Sequence, residues 1–327
     1  MRDDGSSEVR RPVVTALVVN FNSGDLLKRC IRRLADQNEP FYEVIVIDNG
    51  STDGSIEIGA PSIPIRLLRL NRNAGFAAAN NFGLTECKSD FVALINPDAF
   101  LDSFWLNHML EGASRHPDCA SFSSRLIDAT APDRLDGAGD CYHVSGRYWR
   151  GGRGQPLEFD SDRERAVFAA CAAAALYRRD LVIAVGGFDE DYFCYGEDVD
   201  LGFRLRLAGY RCLHVPAAIA HHVGSATTGG QRGDFAAYYG HRNMVWTFVK
   251  DMPGFMFWCL LPLHLLLNVV AIAMLTWRGQ AVTVLRAKRD AITGLHAIWE
   301  KRRSVQRQRI ATPTTIWRAL DKRLFPE

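Results

Sequence analysis

The sequence lacks the two glycine-rich signatures that most often mark nucleotide binding. No G-x-G-x-x-G follows its first apolar run and no G-x-x-x-x-G-K-[ST] occurs, which argues against a dinucleotide oxidoreductase and a P-loop enzyme. Its eight cysteines include no C-x-x-C pair, and the polar leader MRDDGSSEVRRP has no apolar core of a secretory signal. Buried, reduced thiols in a cytosolic protein are therefore expected, not a disulfide framework. An excess of one charge is also missing: 39 Lys+Arg stand against 37 Asp+Glu, a net of +2, which argues against bulk nucleic-acid binding. With 47% hydrophobic and 23% charged residues, a disordered or collagen-like chain is excluded.

What is present is unevenly spread. Arg278 to Glu327 carries twelve basic and four acidic residues, a net of +8, which leaves a net of −6 upstream. The 327 residues suit one large α/β domain or two smaller ones. Val13 to Val19 is an almost continuous, β-branched apolar run, expected as a strand buried on both faces. Residues 25–38 put Leu26, Leu27, Cys30, Ile31 and Leu34 on one helical stripe. Further strands are expected over 44–47, 65–70 and 91–95, with a helix over 74–87. The alternation predicts a βαβ series and an open, mostly parallel sheet with helices on both faces. Ligands of such sheets sit beyond the carboxyl ends of the strands. Those ends carry Asn20-Phe21-Asn22, Asp48 to Ser55, Asn71 to Gly75, and Asn96 to Ala99. Turn formation accounts for each of them singly; carboxylates recurring on one sheet edge point to a site.

The ordered set VVNFNS (18–23), DNGSTDGS (48–55), NRNAGFAAANN (71–81), NPDA (96–99), GGFDEDYFCYGEDVDLGFRLRLAGYR (186–211), HHVGSAT (221–227) and YYGHRN (238–243) spans about 230 residues. It resembles the inverting family 2 glycosyltransferases of GT-A fold, in particular their rhamnosyltransferase-like branch. The resemblance implies a disordered leader (1–11) and a catalytic domain (12–250). Its nucleotide-sugar half covers about 12–100 and its acceptor half about 101–250.

The resemblance also implies roles. Asp48 accepts the imide N–H of a uracil or thymine base, which suits an acceptor-only side chain, with Asn20 nearby. Phe21 stands either against that base or in the core. The Gly75 turn and the helix it opens place backbone N–H groups near the diphosphate, where Arg72 adds charge or is a solvated arginine. Asp98 holds Mg²⁺ or Mn²⁺, and Asn96, where relatives carry a first Asp, reaches a ribose hydroxyl. His222 joins the metal or the diphosphate, and Arg242 contacts a phosphate. Three carboxylates in four positions, Glu197, Asp198 and Asp200, open a helix, where acidic residues are also common for electrostatic reasons. Asp198 is the expected base for the acceptor hydroxyl, Glu197 an acceptor or metal contact, and Asp189 an acceptor contact. No Q-x-x-R-W follows, which favours transfer of a single sugar over processive polymerisation.

Phe255 to Trp277 is a 23-residue stretch without formal charge, long enough for one span. Pro262 interrupts it, and His264 and Asn268 are costly at a bilayer centre. One crossing would also export either the catalytic body or the basic tail. A re-entrant or in-plane hydrophobic segment (251–280), broken at Pro262, is expected, with a buried core helix or a homodimer interface as the alternative. Beyond it, 281–327 reads as a basic amphipathic tail. Val282, Leu285, Ile292, Leu295 and Trp299 line its apolar stripe, and Arg286, Lys288, Arg289, Lys301 and Arg302 are on its polar side. Such a tail suits an anionic membrane surface, not a nucleic acid. The expected activity is transfer of one sugar, rhamnose from dTDP-rhamnose, to a polyprenyl-diphosphate-linked glycan at the cytoplasmic face of the bacterial inner membrane. A UDP-hexose or UDP-galactofuranose donor is the alternative. A sugar-nucleotide pyrophosphorylase is disfavoured by the missing G-x-G-T-R loop, and a non-catalytic membrane-docked binding protein by the retained Asp48, Asp98 and Asp198.

Overall fold

The computed structural model describes residues 11–59, 62–224 and 233–323. Apart from Arg11, the expected leader lies outside the described residues, as do Ser225 to Thr227 of the histidine motif. The expected βαβ series is present: β1 (Val14–Asn20), α1 (Leu26–Ala35), β2 (Glu43–Asp48), β3 (Ile65–Arg69), α2 (Phe76–Glu86) and β4 (Phe91–Ile95). β1, β2 and β4 are buried nearly throughout, as continuous apolar runs in a parallel sheet should be. α1 buries the stripe Leu27, Cys30, Ile31 and Leu34.

The second half adds β5 (Ala99–Leu101), α3 (Trp105–Arg115), β6 (Cys119–Asp128), β7 (Leu135–Gly137), the hairpin β8 (Asp140–Tyr142) and β9 (Tyr148–Arg150), β10 (Arg165–Val167), β11 (Ala174–Arg178), α4 (Arg179–Ala184), α5 (Glu197–Leu207) and β12 (Arg211–His222). The main sheet runs β10-β12-β6-β11-β4-β1-β2-β3. It is parallel through β4-β1-β2-β3 and again between β6 and β12, with β11 antiparallel between the two parts. One face packs on α1 and α3, the other on α2, α4 and α5.

The C-terminal part is helical: α6 (Asp234–Asp251), α7 (Gly254–Trp277), α8 (Ala281–Thr293), α9 (Leu295–Arg307) and α10 (Pro313–Ala319). A third core joins it to the sheet-bearing part, placing Trp246, Phe248, Ala291, Ile298 and Ile316 in one cluster with Tyr142, Phe168 and Phe203. Two expectations change here. Pro262 lies inside α7 without ending it; it is on the exposed side, opposite the packed stripe that holds the helix. The tail helices face inward through Val284, Ala287, Ala291 and Ile298, leaving Val282, Leu285 and Ile292 outside. Lys288 and Arg302 are buried as a consequence. Arg302 Nη1 donates to the carbonyls of Val249 and Met252, each at 2.7 Å, meeting the donor demand of the α6 carboxyl end. All eight cysteines are free and five are buried.

Candidate active site

Beyond the carboxyl ends of β1 and β4 opens a cleft of about 860 Å³. Its lining brings together Phe21, Gly75, Asn96, Asp98, Glu197, Asp198 and His222 with the β8–β9 hairpin and the first turns of α6. Residues more than a hundred positions apart thus share one space.

On the nucleotide side, Asn20 and Asp48 are buried and do not line the cleft; their neighbours Phe21, Ser23 and Asn49 do. Asn20 Nδ2 donates to Asp48 Oδ1 (3.2 Å), Ser51 Oγ (3.0 Å) and Ser55 Oγ (2.9 Å). Asn20 therefore orders the DNGSTDGS loop around Asp48 and is not itself a lining contact. Gly75 has φ +89°, and a Cβ there would lie 2.6 Å from the Phe193 carbonyl oxygen and ring. That close approach, not an open anion site, is what the glycine provides. The amides of Phe76 and Ala77 already donate to the Phe193 carbonyl, at 2.6 and 3.3 Å, so they are taken up at the end expected to meet a diphosphate. Arg72 is exposed and lies outside the cleft lining.

Across the sheet, the alternation of β12 buries His222 and turns His221 outward toward Asp102. His222 Nε2 lies 3.3 Å from Asp98 Oδ1, while Nδ1 lies 2.7 Å from Asp136 Oδ2. Asp136 is in turn paired with Arg150 and, at 3.2 Å, with Arg153. Although burial opposes ionisation, Arg150 and His222 hold Asp136 well below the usual carboxylate range. Burial likewise opposes charge on His222, but its interactions with Asp136 and Asp98 outweigh it and raise its pKa above the ordinary value. A buried imidazole nitrogen aimed at one carboxylate, with the ring oriented by another, is the donor set a divalent cation takes. Asp98 and His222 thus fit a metal. Asp140, Cys171 and Asp198 also bring potential ligand atoms within 4.8 Å of one another. Burial pushes the Cys171 thiol well up, and a sulfur ligand suits Mg²⁺ or Mn²⁺ poorly.

The acidic segment begins α5. Asp198 reaches the cleft, accepting from the Ala172 amide at 3.2 Å and the Val199 amide at 2.8 Å. Burial raises its pKa despite those bonds. Glu197 is buried with Oε2 unpartnered, and burial together with Asp198 pushes its pKa well above the ordinary range. Asp200 points into the core, paired with Lys250 (2.5 Å) and Arg204 (2.8 Å). Asp189 is a correction: it lies outside the cleft lining, its carboxylate committed to Lys250 and Lys301, both at 2.5 Å. So is Arg242, whose Nη2 donates to the carbonyls of Asp191 (2.7 Å) and Tyr192 (3.0 Å) outside the cleft lining. With Asn243, which donates to the carbonyls of Tyr192, Cys194 and Tyr195, it holds a loop in which Phe193 and Tyr195 have φ of 64° and 67°. Such strain persists only where the surroundings impose it.

Sequence reasoning missed Asp136, Asp140 and Arg150. Asp140 is buried, and its pKa is pushed well up by burial and by Asp198.

Comparison with known proteins gives the family and the fold. The model described as Glycosyl transferase family 2 matches residues 15–186, and that described as Glycosyl transferase family group 2 matches 158–287. The chain is 29% identical over 267 residues to the N-acetylglucosaminyl-diphospho-decaprenol L-rhamnosyltransferase of Mycobacterium tuberculosis, covering 73% of this chain and 84% of the relative. In fold it is similar to GalNAc-T7 with UDP, GalNAc and Mn²⁺ (TM-score 0.60, 15% identity, 73% of this chain and 48% of that one). It is also similar to the mannosyltransferase PcManGT from Pyrobaculum calidifontis in complex with GDP-Man and Mn²⁺ (TM-score 0.56, 17% identity, 95% and 88%). A GT-A sheet carrying the family model over more than half of its length places this chain in glycosyl transferase family 2.

Proposed function

We propose that the protein is an inverting, metal-dependent transferase that moves one sugar, with rhamnose from dTDP-rhamnose the best match, to a glycan carried on a polyprenyl diphosphate. The observation that carries this reading is one cleft holding both a metal-type pair, Asp98 with His222, and a carboxylate of raised proton affinity, Asp198. The similar rhamnosyltransferase names a diphospho-decaprenol acceptor, which supports the lipid carrier and the cytoplasmic membrane face as the place of action. We assign catalysis to residues 12–250, with 251–280 and 281–327 as membrane-associated parts.

Asp198 takes the proton of the acceptor hydroxyl while that oxygen bonds to the anomeric carbon and the bond to the nucleoside diphosphate breaks. Its raised pKa makes it a better base than an exposed aspartate. Glu197 beside it is pushed toward its protonated form by burial and by Asp198, which reduces the charge repulsion that Asp198 meets. When bound, a divalent cation at Asp98 and His222 neutralises charge on the leaving diphosphate. Asp136 and Arg150 fix the imidazole, and the network of Asn20 with Asp48 orders the loop whose neighbours Phe21 and Asn49 face the donor.

The test is nucleotide release across dTDP-rhamnose, UDP-hexoses and UDP-galactofuranose with a short-chain polyprenyl-diphosphate N-acetylglucosamine acceptor, with and without EDTA. Acceptor-dependent release from dTDP-rhamnose, abolished by EDTA and giving a product of inverted anomeric configuration, is expected. Turnover confined to a UDP-sugar would replace the donor, a retained configuration would remove the in-line base, and release insensitive to EDTA would remove the metal.

A further inference from the structure

We infer that the outer faces of α7 and α8 form a single docking surface that lies in the plane of an anionic leaflet and crosses no membrane. By length and apolarity α7 passes for a span, with 24 residues and a mean hydropathy of 2.1. Its packing is different from that of a span. Phe257, His264, Ala271 and Leu275 are its buried residues, recurring at helical spacing so that one stripe runs along the helix. Met256, Leu260 and Leu261 pack into the same core, and His264 Nδ1 is hydrogen-bonded to the Ser145 carbonyl at 2.7 Å. A helix held against the body over that length cannot enter a bilayer end-on without taking the body with it. Only its other side is free to meet lipid.

That side is apolar from end to end. Phe255, Trp258, Leu266, Val269 and Trp277 are exposed, Trp277 by 88%, and only 17% of the most apolar window is buried. α8 continues the surface with Val282, Leu285 and Ile292, exposed by 82%, 55% and 65%. Apolar residues exposed in this number along two consecutive, packed helices mark an interaction surface. The occupant is indicated by the edge. Arg278, Arg286 and Arg289 are exposed beside it, and basic residues at a membrane surface contribute about 1 kcal/mol each toward anionic lipid. Exposed tryptophans near both ends of α7 suit the headgroup boundary. A second copy seated on the same face would bring two such arginine rims together.

The surface also borders the cleft. Gln280, between α7 and α8, donates to Asp234 at 2.9 Å, and the next residue, Phe235, lines the cleft. An acceptor drawn from the leaflet would therefore meet the cleft at its α6 wall; this last step alone rests on the lipid-linked acceptor proposed above.

The test uses the full chain and vesicles of phosphatidylcholine with or without phosphatidylglycerol. Flotation is expected with phosphatidylglycerol and at least tenfold less with the double variant Leu266→Glu/Leu285→Glu, which should keep its circular dichroism and its donor turnover with a water-soluble acceptor. Depth is read with an environment-sensitive dye on the exposed Cys259 and, in a Cys259→Ser background, on Val270→Cys and Trp277→Cys, using lipids that carry quenchers at shallow and deep positions. All three positions should be quenched from the shallow position. A dye at residue 270 quenched from the deep position while 259 and 277 remain shallow would establish a span and overturn the inference. Equal flotation of the double glutamate variant, or a vesicle-free dimer that this variant dissolves, would also overturn it. Flotation that persists while no donor is turned over would sink the proposed transfer and leave the docking surface standing.

Discussion

Replacing Asp198 by Asn separates a base from a structural carboxylate. The Ala172 amide donates to Asp198 Oδ2 and the Val199 amide to Oδ1, so the single oxygen of a carboxamide keeps one of these bonds and loses the other. Burial raises the carboxyl pKa, so the folded state favours the protonated form. The cost of ionising it is absent below the unfolded value and grows as pH rises through the folded one. At pH 7.5 Asp198→Asn removes that cost but gives up one hydrogen bond, about 1 kcal/mol at any pH, so its Tm relative to the parent should be more favourable at pH 7.5 than at pH 4. Losing a positioned base slows proton transfer by about 10²–10⁴-fold, equivalent to about 3–5 kcal/mol of barrier. The assays are single-turnover sugar transfer, thermal denaturation at several pH values and dTDP affinity by calorimetry. The expected result is a loss of rate in that range with unchanged nucleotide affinity and a Tm difference that favours the variant more at pH 7.5 than at pH 4. A variant retaining more than a tenth of the parental rate, or one whose Tm difference from the parent is the same at pH 7.5 and pH 4, would refute the argument.

Other outcomes follow from the same geometry. For the parent, kcat/KM should rise with pH along a limb set by Asp198 and lying above the ordinary carboxylate range, since only the ionised form accepts a proton; a limb near pH 4 contradicts this. Asp136→Asn takes the charge from the partner of His222 and Arg150, and should weaken the apparent affinity for Mn²⁺ by about 10–100-fold, read from activity against free metal. Glu197→Gln keeps the shape of a carboxyl that burial and Asp198 push toward its neutral form, so the single-turnover rate should fall far less than in Asp198→Asn; an equal loss contradicts this. Gly75→Ala puts a methyl against Phe193 at φ +89° and should cost about 1–3 kcal/mol in urea titration, with poorer donor binding.

Much of this architecture is legible without coordinates because its central strands are buried on both faces. Val14–Asn20 and Glu43–Asp48 are such strands, and their carboxyl ends carry the residues that gather at the cleft. Asp136, Asp140 and Arg150 escaped notice for a physical reason. They lie on strands of three residues, too short for a period-two pattern to register, in a stretch whose Gly and Asp content reads as turns. The amino end of α2 looked like an anion site because its occupant, the Phe193 carbonyl, arrives from more than a hundred residues downstream. No local pattern announces such a contact. His222 could be preferred to His221 by motif spacing, and strand alternation agrees with that choice.

The division of charge between body and tail also has a different physical meaning once the contacts are known. The tail's cations do not all serve a surface. Lys301 on α9 binds Asp189 and Asp191 at 2.5 and 2.7 Å, and Lys250 on α6 bridges Asp189 to Asp200, at 2.5 Å to each. Asp200 is on the helix that carries Glu197 and Asp198, and Arg242 and Asn243 grip the strained loop leading into it. α6 and α9, against which the helices with the apolar outer face pack, are therefore fastened by ion pairs to the segment bearing the base. Lys250 is nearly inaccessible, and Lys250→Met removes one cation shared by two buried carboxylates. Arg204 and Lys301 remain to hold Asp200 and Asp189, so the cost should fall near the lower end of the 3–5 kcal/mol typical of a broken buried pair, about 3 kcal/mol. Transfer should fall more steeply than folded fraction in urea, because the freed carboxylates relax at the foot of the Asp198 helix. A variant that loses stability while each folded molecule transfers sugar at the parental rate would show that the helical layer and the base are energetically separate.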